Sequence, residues 1–302
     1  MNPSMTLSTL IAQSAQQLDA AHTSGQLSFG HGTTNAADEA AWLVLWKLDL
    51  PLDTDVSDEA RNIELPPTQV ASVQAFIDHR IASRKPAAYL TQEAWLQGVS
   101  FYIDERAIVP RSLIAEVLAE GTIDLWLDPH TTRVLDLCTG NGSLGILAAL
   151  AYPDITVQGL DLSKDALAVA QINIERHGLE GRMALAESDG LAQADGVFDL
   201  ILCNPPYVNT QSMSELPAEF KAEPALALAG GDDGMDFIRH LLRDAPGHMS
   251  EHAVLVLEIG NERDYFEAAF PQLDVVWLST SAGDDQVLLL TRQAITEGAF
   301  PP

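Results

Sequence analysis

The sequence has few basic residues. Only 16 of its 302 residues are Lys or Arg, against 43 Asp or Glu, which gives a formal net charge of −27 at pH 7. A surface of this sign repels the phosphate backbone of nucleic acids and attracts cationic partners. The composition therefore weighs against direct nucleic-acid binding and favours a basic protein partner.

Cysteine and long apolar runs are also scarce. Cys138 and Cys203 each sit near the end of a predicted core strand, where buried thiols are common, so neither a disulfide framework nor a metal site is predicted. No apolar run approaches the roughly 20 residues of a membrane helix. Met1 to Ser14 lack the basic and apolar segments of a signal peptide. We expect a cytoplasmic protein with no membrane partner.

Helical patterning occupies the first part of the chain. Apolar residues recur at helical spacing from Ser4 to about Ala21, again between Asn35 and Pro51, and again after Pro67. These segments predict a small helical domain over residues 1–88. Shorter extended pieces around Gly98 predict a β-hairpin linker over residues 89–110.

Strands and helices alternate over residues 111–302, which is typical of an open, mostly parallel α/β sheet. Helices are predicted from Arg111 to about Leu127 and from Gly234 to Met249, and residues 107–109 are the last extended piece before them. Seven strands are predicted. They are Arg133 to Leu137, Thr156 to Leu162, Met183 to Glu187, Asp199 to Cys203, Ala253 to Ile259, Asp274 to Thr280 and Gln286 to Thr291. The last two, joined by residues 282–285, predict an antiparallel hairpin. Such a hairpin cannot be one more parallel strand reached by a crossover connection.

The fourth strand ends in Asn204-Pro205-Pro206-Tyr207. The prolines stiffen the exit of the strand and remove two backbone donors. What remains is a group of acceptors: the Asn204 side-chain oxygen and a prolyl carbonyl can face a planar NH2 group, while Tyr207 can lie against its plane. A stiff turn that caps the strand is the simpler alternative.

A glycine-rich loop follows the first of these strands. Gly140, Gly142 and Gly145 match the dinucleotide pattern G-x-G-x-x-G, and the loop opens a helix. Asp136, at the tip of the strand, adds a negative charge before the glycines. In a nicotinamide dehydrogenase the helix start holds a pyrophosphate, whereas an acid here favours a cationic ligand.

Acidic residues also end the second and third strands. Asp136 suits an ammonium or sulfonium group, Asp161 suits ribose hydroxyls, and Asp189 suits the amino group of an adenine. S-adenosylmethionine carries all of these groups, so it is the predicted cofactor. Thr139, Gly140 and Gly142 are expected to contact it. Any one of these carboxylates could instead be a solvated loop residue or a helix cap.

Five segments are similar to the class I methyltransferases and, more closely, to the HemK-like protein glutamine methyltransferases. They are residues 84–90, Val109-Pro-Arg-Ser112 with Glu116, residues 136–145, residues 204–207, and Glu223-Pro-Ala-Leu-Ala-Leu-Ala-Gly-Gly-Asp-Asp-Gly234. The resemblance implies a Rossmann-like class I fold with S-adenosylmethionine as the methyl donor. It also implies that Asn204, Pro205 and Tyr207 act in catalysis, and that Asn204 to Tyr207 bind the target amide.

The linker sequence from Phe101 to Glu116, together with Cys138, looks like the branch that methylates a glutamine of large-subunit ribosomal protein L-three (PrmB) rather than the release-factor branch. The resemblance therefore implies a basic ribosomal protein as the substrate. Four alternatives stay open: a release-factor glutamine methyltransferase, an enzyme that methylates an adenine or guanine amine, a ribosome-assembly module without activity, and a nicotinamide dehydrogenase. Asp136, the proline pair and the C-terminal hairpin disfavour the dehydrogenase.

Overall fold

The computed structural model describes residues 5–58 and 62–298, and the predicted helix start at Ser4 lies outside them. The α-helices are α1 Leu7–Thr23, α2 Ala36–Lys47, α3 Pro67–Ser83, α4 Ala87–Thr91, α5 Ile114–Ala119, α6 Ser143–Ala151, α7 Lys164–Arg176, α8 Thr210–Glu215, α9 Ala218–Lys221, α10 Asp236–Asp244, α11 Arg263–Ala269 and α12 Arg292–Gly298. The strands are β1 Glu93–Leu96, β2 Val99–Tyr102, β3 Arg133–Leu137, β4 Thr156–Asp161, β5 Met183–Glu187, β6 Phe198–Cys203, β7 Met249–Glu258, β8 Val276–Thr280 and β9 Gly283–Thr291. Short 3-10 helices occupy Asp124–Trp126, Ala225–Ala227 and Ala245–His248.

Seven strands form one sheet in the order β5-β4-β3-β6-β7-β9-β8. Neighbours from β5 to β7 are parallel, and β9 runs antiparallel to both β7 and β8. The predicted α/β fold, a mostly parallel seven-stranded sheet that ends in an antiparallel hairpin, is confirmed. The direction of strand succession reverses between β3 and β6, so the carboxyl ends of these two strands flank a crevice of the kind that binds ligands.

Apolar side chains cover both faces of the sheet. On one face, Leu200 and Val254 of the sheet pack in one cluster with side chains of α5, α6 and α7. On the other face, Leu135 and Ile201 join a cluster that contains side chains of α10, α11 and α12. Because both faces are buried, the parallel strands are apolar along nearly their whole length, and polar side chains concentrate at their ends.

The chain divides into two compact units, Met1–Glu93 with Pro217–Ala222 and Ala94–Leu216 with Glu223–Pro302. The first unit contains the helices that the sequence predicted before residue 84. The side chains of Thr6 and Asn35 cap α1 and α2, and Pro67 opens α3. The predicted boundaries at residues 88 and 110 stay a prediction.

Several elements differ from the expectation. The helix predicted from Arg111 to Leu127 is broken at Gly121, which has a φ of +65°, and residues 107–109 form no strand. The helix predicted to reach Met249 ends at Asp244, where a 3-10 turn containing Pro246 leads into a longer β7. Within the described residues, no helix is both long and apolar enough to cross a lipid bilayer.

Candidate active site

A cavity opens at the carboxyl ends of β3, β4, β5 and β6. Five of the predicted site residues line it: Gly140, Asp161, Asp189, Asn204 and Pro206. The remaining predicted residues, Asp136, Thr139, Gly142, Pro205 and Tyr207, are not among its lining residues. The candidate site therefore has a lining layer and a second layer behind it, which we call the buried layer because all its members except the half-buried Tyr207 are buried.

Asp136 belongs to the buried layer. Its Oδ2 accepts a hydrogen bond of 2.5 Å from the Thr139 hydroxyl and one of 2.8 Å from the Gly145 backbone N–H. Its Oδ1 is buried and has no hydrogen-bond partner among the described residues. Asp136 thus ties the glycine loop to the start of α6 and leaves one unsatisfied oxygen beneath the loop.

Burial raises the pKa of Asp136 to about 7, although the hydrogen bonds from Thr139 and Gly145 act in the opposite direction. Asp161 contributes a further, smaller rise because its negative charge is close. A nearby cation would stabilise the ionised form, so this carboxyl group responds to the charge of whatever binds above it.

The glycines of the loop have separate structural reasons. Gly142, with a φ of +84°, begins α6, and a Cβ there would lie 3.2 Å from the Cβ of Ala170. A Cβ at Gly145 would lie 2.9 Å from Asp136 Oδ2 and 2.6 Å from Met183 Cε. Gly142 thus allows the loop to approach α7 closely, and Gly145 allows α6 to pack closely on the strands. Of the three loop glycines, Gly140 borders the cavity.

Asp161, at the end of β4, lines the cavity and is held by backbone amides. Its Oδ2 accepts from Gly140 N–H at 2.8 Å, and its Oδ1 accepts from Ser163 N–H at 2.8 Å. Burial raises the pKa of Asp161, while these N–H donors act to lower it. The carboxylate is thus fixed against the glycine loop in a position suited to accept hydrogen bonds from hydroxyl groups.

Asn204 lies where β6 ends and lines the same cavity. Its side chain has no hydrogen-bond partner in the part of the chain that the structure describes. A half-buried amide at the end of a rigid strand can therefore accept and donate hydrogen bonds to a ligand without first breaking a bond within the protein.

Tyr207 is anchored from behind. Its hydroxyl group donates to Glu258 Oε1 at 3.2 Å, and burial with the adjacent Glu258 charge raises the pKa of the phenol well above its ordinary value. A Cβ at Gly260 would lie 2.5 Å from Tyr207 Cε2, so the ring packs directly on that glycine. Ser112 donates to Glu258 Oε2 at 2.6 Å, which connects Tyr207 to the linker sequence.

The segment from Glu223 to Gly234 packs against the backbone of the same tetrapeptide. A Cβ at Gly230 would lie 2.7 Å from Tyr207 Cα, and one at Gly234 would lie 2.2 Å from the Tyr207 carbonyl oxygen. At the other end of the segment, Glu223 accepts two hydrogen bonds from Arg111, at 2.6 and 2.7 Å. The glycines therefore serve close backbone packing.

Sequence reasoning missed several lining residues, among them Arg106, Ile108, Leu226 and Phe237. Ile108 is brought to the site because its carbonyl accepts from Asn141 Nδ2 in the glycine loop at 3.0 Å. These residues come from separate parts of the chain and carry no local motif. Leu226 lies inside a segment that resembles the family, and Arg106 and Ile108 lie in the linker sequence, whereas Phe237 lies in neither.

The lining residues fit S-adenosylmethionine. Carboxylates of Asp161 and Asp189 suit hydroxyl and amino groups, and the unsatisfied Asp136 oxygen lies beneath the loop. Leu162, Ala166 and Phe237 offer apolar surface for a flat ring system. Within residues 5–58 and 62–298, no group of three or more His, Cys, Asp or Glu side chains is placed to hold a metal ion.

Comparison with known proteins defines the class. The family model of the methyltransferase small domain matches residues 115–231. The catalytic domain of hMettl16, solved with MAT2A 3'UTR hairpin 6, has the same fold, with a TM-score of 0.50 at 14% identity over 68% of this chain and 79% of that one. The chain has the class I methyltransferase fold.

Two curated relatives define the family. The chain is 50% identical over 292 residues to the ribosomal protein uL3 glutamine methyltransferase of Bordetella pertussis, which covers 96% of each chain. It is 51% identical over 274 residues to the protein of the same name from Burkholderia pseudomallei, covering 88% of this chain and 89% of that one. The chain belongs to the ribosomal protein uL3 glutamine methyltransferase family, and the resemblance identified in the sequence is confirmed.

Proposed function

We propose that this enzyme transfers a methyl group from S-adenosylmethionine to the side-chain amide nitrogen of a glutamine in ribosomal protein uL3. The observation that carries the proposal is the identity of about half of all residues, over nearly the whole chain, with relatives that bear this name. The net charge of −27 agrees with a basic protein as the acceptor.

The site supports an amide acceptor. A primary amide nitrogen is a poor nucleophile because its lone pair is delocalised into the carbonyl group. Bound S-adenosylmethionine supplies an electrophilic methyl group. As the amide nitrogen bonds to the methyl group, the sulfur–methyl bond would break and neutral S-adenosylhomocysteine would leave. Positive charge develops on the nitrogen, its N–H groups become stronger hydrogen-bond donors, and one N–H proton would then be lost to solvent. Acceptors fixed around that nitrogen therefore stabilise the transition state more than the ground state.

Asn204 and Pro205 are the acceptors that we assign to this task. The Asn204 side-chain oxygen and the Pro205 carbonyl would accept from the two N–H groups of the target amide. The adjacent Pro206 lines the cavity and would border the target. Tyr207, anchored by Glu258, would hold the amide plane. The rigid strand exit keeps these groups in place without reorganisation during the reaction.

We assign the cofactor to the other wall of the cavity. Asp161 would bind the ribose hydroxyls, and Asp189 would bind the adenine amino group. Gly140 would let the backbone approach the ligand closely. Thr139 and Gly142 would act from behind the lining by shaping the loop, and Asp136 would stabilise the cationic end of the cofactor from below the loop.

The test is methyl transfer from labelled cofactor into an extract of cells that lack this enzyme, followed by mass spectrometry of the labelled peptide. We expect one glutamine of uL3 to carry the label. An extract of cells that contain the enzyme is the matched control and should accept little label, because its sites are already methylated.

Two other outcomes would contradict the proposal. Label in a release factor would assign the enzyme to the neighbouring branch of the family. Label in the RNA fraction would make it an amino methyltransferase of nucleic acid, since an adenine or guanine amine is also a planar NH2 group.

A ribosomal protein as the acceptor implies that the reaction takes place in the cytoplasm, which is the location that we propose.

A further inference from the structure

The segment Pro217–Ala222 contains α9 and belongs to the compact helical unit, although it stands in the sequence between Leu216 and Glu223 of the other unit. We call the unit that contains the cavity the catalytic unit. The chain leaves this unit after Leu216, belongs to the helical unit for six residues and returns at Glu223. The helical unit holds these six residues through ion pairs and an aromatic contact.

Glu219 is the centre of this attachment. Its side chain is 0% exposed and accepts from Arg84 Nε at 2.9 Å, from Arg84 Nη2 at 2.5 Å and from the Ser28 backbone N–H at 2.9 Å. Arg80 Nη1 lies 3.5 Å from the same carboxylate. A bidentate guanidinium with an additional backbone donor is a strong and directional arrangement for a carboxylate.

Of the two arginines that contact Glu219, Arg80 is buried and paired, whereas the Arg84 side chain is 28% exposed. Arg80 is 1% exposed and donates from Nε to Glu39 at 2.9 Å and from Nη2 to the Ser28 carbonyl at 3.1 Å. Glu39 also accepts from the Thr33 hydroxyl at 2.9 Å. Two arginines and two glutamates thus balance in charge, and removal of Arg84 leaves the fully buried Glu219 carboxylate with less compensation.

Phe220 adds an apolar contact beside the ion pairs. Its ring centroid lies 4.3 Å from that of His31, and a Cβ at Gly30, which has a φ of +126°, would lie 3.2 Å from the ring. We call the surface formed by Ser28, Gly30, His31, Arg80 and Arg84 the socket. It recognises an adjacent carboxylate and aromatic ring, and so fixes both the position and the orientation of α9.

The chain on either side of α9 leads to the candidate active site. On one side, Asn209 follows the tetrapeptide and donates to Glu262 at 2.9 Å. On the other side, Glu223 binds Arg111, and Pro224, Leu226 and Ala227 line the cavity. Only Lys221 and Ala222 separate Phe220 from Glu223, so a short stretch of backbone links α9 to the residues that line the cavity.

We propose that Arg84 and Glu219 are positioning residues for methyl transfer, through which the helical unit fixes the acceptor side of the active site. This inference rests on the proposed methyl transfer to uL3. It gives the helical unit a task distinct from recruitment of the substrate protein, and distinct from stability alone. The buried charges suit this task because they specify one position of the segment, which an apolar contact would define less strictly.

The test compares Arg84→Met with Leu10→Ala in the full-length chain. Arg84→Met keeps most of the side-chain length but removes both hydrogen bonds to Glu219. Leu10 is buried in the core of the same helical unit and has no polar group in the socket. Leu10→Ala therefore lowers the stability of the unit but leaves the hydrogen bonds of Glu219 in place. Arg84→Lys, which retains the charge, is the conservative variant.

Hydrogen exchange of the cofactor-free proteins is the first measurement. We expect Arg84→Met to exchange faster than wild type over residues 208–231, and Leu10→Ala to leave the exchange of this segment unchanged. Because this measurement uses neither cofactor nor substrate, it stands even if uL3 is not the acceptor. Unchanged exchange in Arg84→Met would overturn the inference.

Steady-state kinetics on intact uL3, below the unfolding transition of every variant, is the second measurement. We expect kcat of Arg84→Met to fall on the order of 10- to 100-fold, as a misplaced acceptor site would, with cofactor Kd unchanged. Arg84→Lys should recover part of the loss. An equal fall in Leu10→Ala, or a rise in KM with unchanged kcat, would overturn the inference. Inactive wild type would count against the proposed function alone.

Discussion

The Asn204 amide combines a place in the cavity lining with a side chain that has no partner among the described residues. We predict that Asn204→Ala lowers kcat between roughly 10- and 1000-fold, because one acceptor aimed at the developing charge is lost. Cofactor Kd should change little, since Asp161 and Asp189 remain. Single-turnover kinetics and calorimetry measure the two quantities, and equal turnover at saturation would remove Asn204 from the mechanism.

Asp136 should make stability depend on pH. Its pKa is 3.8 ordinarily and about 7 when buried in the folded chain, so between these values the folded state keeps a proton that the unfolded chain has lost. The free energy of unfolding therefore falls as pH rises, and the loss is complete above the folded pKa.

We predict that the cofactor-free wild type loses on the order of 2 kcal/mol relative to Asp136→Asn between pH 5 and pH 8, because the asparagine has no charge to bury. Urea unfolding of both proteins at the two pH values measures the difference. Parallel changes in the two proteins would show that Asp136 does not titrate in this range.

The sequence predicted residues of the site where a local motif marks them. Asn204 and Asp161 follow buried strands, and their cavity positions follow from the rule that parallel strands end at one edge. The sequence did not separate the lining layer from the buried layer. Asp136 and Tyr207 stand at strand ends too, but tertiary packing turns their side chains toward Thr139 and Glu258.

The segment Glu223–Gly234 contains glycines that lie directly against the backbone of Tyr207. We predict that Gly230→Ala costs about 1–3 kcal/mol of stability and lowers turnover, because its Cβ would lie 2.7 Å from the Tyr207 backbone, which cannot move aside freely. Thermal unfolding and methyl-transfer rates measure both effects.

Gly247→Ala, in the 3-10 turn before β7, is the matched control, since a Cβ there meets no atom within 4 Å. We expect its stability to stay within about 0.5 kcal/mol of wild type and its activity to be unchanged. Comparable damage in the two variants would mean that the approach of Gly230 to the tetrapeptide has no special importance.

Elements with strong periodicity were predicted well. The central strands and α3 follow apolar patterns and proline signals that act locally. The elements α8, α9 and α12 were not predicted, because short helices of polar composition depend on contacts made elsewhere in the chain. In α9, Glu219 is buried only because Arg84 and Ser28 bind it, and no local pattern announces a partner so far away in sequence.

The charge of the whole molecule should appear in the kinetics of association. A net charge of −27 attracts a basic acceptor protein at long range, and dissolved salt weakens this attraction by screening the charges. We predict that KM for intact uL3 rises roughly tenfold or more between low and high ionic strength while kcat changes little. A short neutral peptide around the target glutamine is the control and should show a weak salt dependence. A salt-independent KM for the intact protein would contradict the electrostatic attraction.

The attachment of α9 constrains how such an enzyme could change its target during evolution. The stretch between β6 and β7 is continuous in sequence, so a single recombination event could exchange it. A transplanted stretch would nevertheless arrive with a glutamate that needs Arg80 and Arg84, which are encoded far upstream. A functional chimera must therefore inherit the two regions together, and retargeting by stepwise mutation should begin at positions outside this paired set.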